Sequence, residues 1–104
     1  MQIVNSENIA GKEIETSLGL VRGSATRSRS IVSDFVAALK NIVGGEVHEY
    51  TKLLADTREQ AFGRMVKDAE NLGADAIVNV RITTSTISQG TSEILAYGTA
   101  VKLK

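Results

Sequence analysis

Residues 31–87 read IVSDFVAALKNIVGGEVHEYTKLLADTREQAFGRMVKDAENLGADAIVNVRITTSTI, and the organisation of the chain follows from how this stretch divides. Its first 42 residues form one long helical pattern, broken at Gly44-Gly45. Before the break, Ile31, Phe35, Leu39 and Ile42 share one stripe, widened by Val32, Val36 and Val43, a broad apolar face for a short helix. Gly44 supplies the left-handed residue that commonly ends helices, and Gly45 lets the chain redirect. After the break, Val47, Tyr50, Leu54, Thr57, Ala61, Met65, Ala69 and Leu72 recur in steps of three or four, with Leu53, Phe62 and Val66 beside them. A helix over residues 46–72 would be roughly 40 Å long at about 1.5 Å per residue. A domain of about 100 residues has a radius of gyration of only about 13 Å. Such a helix carries more apolar surface than one small sheet can cover.

Gly73 stops the helical pattern. Ala74, Ala76, Val78, Val80 and Ile82 then alternate with Asp75, Ile77, Asn79, Arg81 and Thr83, the two-residue period of a strand. Residues 88–91 make a turn, and residues 92–103 return as another strand. There Leu95, Tyr97, Thr99, Val101 and Leu103 face one way, and Ile94, Ala96, Gly98 and Ala100 the other. Both faces of this pair are partly apolar, so helices on one face leave the second needing a partner, most simply another subunit.

Upstream, residues 13–26 suit a strand with Ile14, Thr16, Leu18 and Leu20 on one side. Gly19 and Gly23 fall inside it, which marks a bulge or a close approach by another backbone. Residues 2–5 form a short extended edge, and residues 25–30 a polar loop in which Ser28 or Ser30 caps the next helix. The expected fold is α+β, one domain over residues 1–104. The order is strand, helix, helix, strand, strand, with the helices packed on a small mixed sheet. The first long strand is expected beside and parallel to one of the last two, through a right-handed crossover.

Composition narrows the function. Twelve basic and twelve acidic residues cancel, so no global field favours nucleic acid or an anionic membrane. No cysteine is present, which removes disulfides, thiolate metal sites and thiol nucleophiles. No apolar run reaches the roughly 18–20 residues that span a bilayer, and the opening residues lack a signal-peptide pattern. The expected location is the cytoplasm. With one histidine there is no Ser-His-acid arrangement, and no Gly-x-Ser-x-Gly elbow occurs, so the expectation is a non-enzymatic protein.

Residues 34–46, DFVAALKNIVGGE, with Tyr50 and Arg58, resemble the YbjQ-like family of small bacterial and archaeal proteins. Residues 72–78, LGADAIV, the closing GTAV of residues 98–101, and Gly11, Gly19 and Gly23 around the first long strand fit the same pattern. The resemblance covers nearly the whole chain. It implies a small α+β subunit, similar to the dodecin-like group, assembling as a homopentameric ring or a stacked decamer. It also brings a heavy-metal-binding label, without a ligand set to carry over.

Three clusters bear on a ligand. His48 with Glu46 and Glu49 is the only local metal candidate, although adjacent helical residues diverge by about 100°. The plain alternative is a solvated first turn whose acids suit the helix dipole. Arg27 and Arg29, with Ser28 and Ser30, precede a helix N-terminus and could hold a phosphate or carboxylate. Asp34, Tyr50, Arg58 and Asp75 fall within the family-like segments. A partly buried Arg58 would need Asp34 or Asp75 as a counter-ion, either as a structural pair or in a pocket between subunits. The sequence thus leaves three functions open: a homo-oligomer with an unidentified ligand or partner, a metal-binding protein, and a small-molecule binder at inter-subunit pockets. No cofactor is identified.

Overall fold

The computed structural model describes residues 1–28, 48–88 and 91–104. Along them run β1 (Gln2–Ile3), β2 (Ile14–Ser28), the helix α1 (His48–Asn71), β3 (Ala76–Ser88) and β4 (Thr91–Leu103). The strands form one mixed sheet in the order β1-β3-β4-β2. The helix expected over residues 31–43 and the Gly44-Gly45 break lie outside the described residues.

From Thr57 to Ala69 the apolar stripe of α1 is the one its spacing predicts. Thr57, Ala61, Met65 and Ala69 are buried against the sheet, and Phe62 and Val66 pack half-buried beside them. Leu72, at the end of that stripe, is past the last turn and 47% exposed. The helix ends as Gly73 requires. Gly73 has φ +77°, its N–H donates to Glu70 O, and the Ala74 N–H donates to Ala69 O. These two bonds make a Schellman cap, in which a left-handed glycine satisfies carbonyls that the helix leaves open.

β4 is the central strand, and its alternation holds. Ile94, Ala96, Gly98 and Ala100 are buried beneath α1, while Leu95, Tyr97 and Thr99 are half-exposed on the opposite face. The expected arrangement of the first long strand does not hold. β2 lies beside β4 but antiparallel to it, and it runs parallel to β3 only across the intervening β4. The strand parallel and adjacent to β3 is the two-residue β1. β2 also continues to Ser28, so residues 25–28, read as the start of a polar loop, are strand.

Bulges correct two of the expected faces. Asn79 has φ +57°, a left-handed conformation that asparagine tolerates, and the β3–β4 register shifts between Val78 and Arg81. One extra residue there moves every later side chain to the other face. Ile77 and Val80 therefore join the cluster under α1, while Ala76 and Val78 belong to a second cluster on the far side. In β2, register shifts after Ile14 and after Ser17 separate residues expected on one face. Leu18 packs toward α1, Ile14 toward the far cluster, and Leu20 is 64% exposed. Gly19, with φ +110°, sits at the second shift. Gly23 is the other glycine case: a Cβ there would overlap Met65 N and Ala61 O and come within 2.7 Å of Arg64 C. The backbone of α1 rests directly on it.

Two apolar clusters result. The larger joins Val21, Ala25, Ala61, Met65, Ala69, Ile77, Ile94, Ala96 and Ala100 between helix and sheet. The smaller lies on the opposite face, where Ile9 covers Ala76, Val78 and Val101, flanked by Val4, Ile14 and Leu103. The segment after β1 thus covers part of the apolar back face. The radius of gyration is 17.2 Å, with extents of 55 × 27 × 20 Å. A compact domain of this length would have about 13 Å, so the subunit is elongated.

Candidate functional site

α1 does not sit centrally on the sheet. Its contacts are chiefly with β2, then β4, and few reach β3. Two side chains of α1 hold it there: the Arg22 N–H donates to Asp68 Oδ2 at 3.2 Å, and Arg64 Nη1 donates to Ser24 O. Both backbone groups belong to the outer edge of β2, so these bonds satisfy an edge that would otherwise be open.

The offset leaves a groove on the other side. Ile3, Val4, Asn5, Ser6, Phe62, Val80, Arg81 and Ile82 line a space of about 950 Å³. A second space of about 530 Å³ shares Ile3 and Phe62 and adds Glu59, Gly63, Val66 and Glu70. Together they form one cleft between α1 and the β1–β3 side of the sheet. Its apolar surface comes from Ile3, Phe62, Val66, Val80 and Ile82, and Ile82 is 45% exposed. Its charged lining residues are Glu59 and Glu70 on α1 and Arg81 on β3. Arg81 is oriented by bonds from Nη1 to Asn5 O at 2.8 Å and to Val80 O at 2.9 Å. An apolar cleft with few polar groups at its rim is how small-molecule sites and partner grooves are generally built.

Of the residues proposed from sequence, Arg58 and Asp75 have described side chains, and neither lines this cleft. Arg27 is in β2, not in a loop before a helix, and Arg29 and Asp34 lie outside the described residues. His48 and Tyr50 lie in the first turn of α1, where the backbone alone is described, and Glu46 lies outside. Arg58 is exposed on α1. Asp75, expected as one of its two counter-ions, is engaged elsewhere. It accepts the Leu103 N–H at 2.9 Å and stands 3.6 Å from Lys102 Nζ. The bond from Leu103, and after it the charge of Lys102, hold the Asp75 carboxyl below its ordinary 3.8. A carboxylate depressed on folding stabilises the fold above its unfolded pKa, and that contribution is lost as pH falls through the folded value. The melting temperature of Asp75→Asn is therefore expected below the wild type's at neutral pH, with the gap closing under acid titration below about pH 4. A gap independent of pH would show that the carboxylate charge is not what matters.

Over residues 1–104 the chain matches the profile of the YbjQ family, described as "Putative heavy-metal-binding". The chain belongs to this family. It is 52% identical over 104 residues to a UPF0145 protein of Halorubrum lacusprofundi, covering 100% of both chains. It is also 50% identical over 102 residues to a UPF0145 protein of Archaeoglobus fulgidus, covering 98% of this chain and 94% of that one. A crystal structure from Pediococcus pentosaceus, of a protein with unknown function in the DUF74 family, superposes with a TM-score of 0.66 at 15% identity. It covers 100% of this chain and 98% of that one, a likeness of fold.

The metal in the family description can be set against the donors of this member of the YbjQ family. Soft metals select sulfur and borderline metals imidazole. There is no cysteine and one histidine, and the second methionine, Met65, is fully buried in the core. Among the described residues no three His, Cys, Asp or Glu side chains gather closely enough to hold a metal ion. The described residues therefore do not fit a heavy-metal site. No helix among them is long and apolar enough to cross a membrane.

Proposed function

We propose that the chain works as a non-enzymatic subunit of a cytoplasmic homo-oligomer, a ring of five copies. In that assembly a neighbouring copy closes the cleft between α1 and the β1–β3 side, and an apolar small molecule is held where the copies meet. The observation that carries this reading is the cleft itself. Ile3, Phe62 and Ile82 stay accessible because α1 is held over β2, and apolar surface of this kind calls for a cover. The elongated shape supports it, since a subunit of a closed ring need not be compact alone. Native mass spectrometry is expected to give a particle of five copies or a multiple of five, with added mass when a ligand co-purifies. Phe62→Lys is expected to shift the particle toward single copies. A wild-type protein that is monomeric at micromolar concentration overturns the reading.

The family description favours a second reading, metal binding, which would need donors from more than one copy, with His48 and Glu46 the nearest candidates. Equilibrium dialysis against zinc, copper, nickel and cadmium tests it. Retention at one or more equivalents that disappears in His48→Ala would establish it, and retention unchanged by that substitution would reject His48.

A further inference from the structure

The cleft between α1 and the β1–β3 side holds two features that the packing of the subunit does not account for. The first is Arg81. Its Nη1 donates to Asn5 O and Val80 O, and both acceptor residues line the cleft, so the guanidinium stands at its wall. Those bonds occupy Nη1 and leave Nε and Nη2, the edge that grips a carboxylate through two parallel bonds. Among the described residues no carboxylate pairs with Arg81.

The second is Gly63, midway along α1 on the wall of the same cleft. Glycine inside a helix is costly against alanine. At Gly23 the close backbone of α1 explains the glycine, but a Cβ built on Gly63 meets nothing within 4 Å among the described residues. The packing of the subunit therefore does not require a glycine there. A bare stretch of helix is what lets a ligand lie against the backbone. We infer that the ligand of the cleft is an amphipathic monoanion, an alkyl carboxylate of medium length. Its chain lies over Gly63 between Phe62, Val66 and Ile3, and its carboxylate sits on the Nε–Nη2 edge of Arg81.

The wall of α1 limits the charge to one. Glu59 and Glu70 lie on either side of Gly63, at the two ends of the helical stretch that lines the cleft. They are about 16 Å apart along the axis, at about 1.5 Å per residue. A second anionic group on the chain would meet these like charges. Covering the cleft adds to the argument, because an unpaired guanidinium taken out of water is costly and a carboxylate beside it offsets that cost. The inference rests on the reading that the cleft holds an apolar small molecule, and specifies the head group that molecule carries.

Isothermal titration of the delipidated protein tests it with probes that share one chain: decanoate, decanol, decanedioate and decyltrimethylammonium. Decanoate is expected to bind at least about tenfold more tightly than each of the others, the effect of one charge-assisted pair. This ranking is read on the wild type and needs no variant. Arg81→Gln is expected to bring decanoate down to the affinity of decanol and to leave decanol unchanged. Gly63→Leu, which fills the bare stretch, is expected to weaken both by about tenfold or more, with far-ultraviolet circular dichroism unchanged. Decanol equal to decanoate, or a folded Arg81→Gln that still prefers decanoate, overturns the inference while leaving an apolar ligand in the cleft. Undiminished binding by a folded Gly63→Leu takes the chain out of the cleft and overturns it as well. No binding of any probe, beside added mass in native mass spectrometry of the purified protein, overturns the inference alone. No binding and no added mass overturns it together with the reading it rests on.

Discussion

Gly23→Ala is expected to lower the melting temperature by about 8–16 °C, the shift that a loss of about 2 kcal/mol gives in a domain of this size. The added methyl has nowhere to go, because Met65 N, Ala61 O and Arg64 C already occupy its place. These are backbone atoms of a helix, so no rotamer change relieves the overlap; the whole of α1 must lift from β2. That movement would also strain the bonds from Asp68 and Arg64 that hold the helix over the edge. Thermal unfolding followed by circular dichroism measures the effect. A melting temperature within about 2 °C of wild type, corresponding to about 0.5 kcal/mol or less, would show that α1 does not approach β2 as described.

Met65→Ala is expected to cost about 2–5 kcal/mol, the range for truncating a buried long apolar side chain to alanine. Met65 is fully buried and is among the largest wholly buried side chains of the subunit. It lies where α1 meets Val21 and Ala25 of β2 and Ile94 and Ala96 of β4. Much of the cluster is alanine, which cannot expand to fill the space, so the cavity persists and the loss should fall toward the upper half of that range. Chemical denaturation with the slope held common to both proteins gives the difference. The double variant with Gly23→Ala separates two causes. Because the Gly23 overlap is with the backbone of Met65 and not its side chain, shortening residue 65 should not rescue residue 23. A double variant more stable than Gly23→Ala alone would refute that account.

Periodic features were legible in the sequence because repetition makes them so. The stripe through Thr57, Ala61, Met65 and Ala69 settles the buried face of α1, and the alternation from Ile94 to Ala100 settles that of β4. Glycines 19 and 23 likewise announced a bulge and a close approach. The faces of β2 and β3 were not legible, because a single inserted residue reverses them and nothing in periodicity marks Asn79 as that residue. Its type, tolerant of positive φ, was the one available signal. The neighbour of β2 depends on pairing across more than 60 residues of chain, which local pattern does not encode. The cleft escaped for the same reason, since Ile3, Phe62 and Ile82 meet only after folding. Arg64 and Asp68 flank Met65 on α1, which was a clue that polar side chains there reach the sheet edge, yet charged helix residues read first as solvated. Of the residues chosen for chemistry, Arg58 is exposed on α1 away from the cleft, while the side chains of Arg27, Arg29, His48 and Tyr50 lie outside the described ones.

The pairing of β1 with β3 also bears on how the subunit is made. Gln2 lies beside Ala76, and Ile9 packs with Val101, so residues 2–9 have partners that come much later in the chain. At about 5–20 residues per second of translation, the opening segment waits on the order of 4–15 s before its strand partner exists. Until then Ile3, Val4 and Ile9 lack the sheet residues they pack or pair with. β4 follows β3 in the chain and carries Val101, so the back-face cluster that Ile9 covers closes only when the central strand is in place.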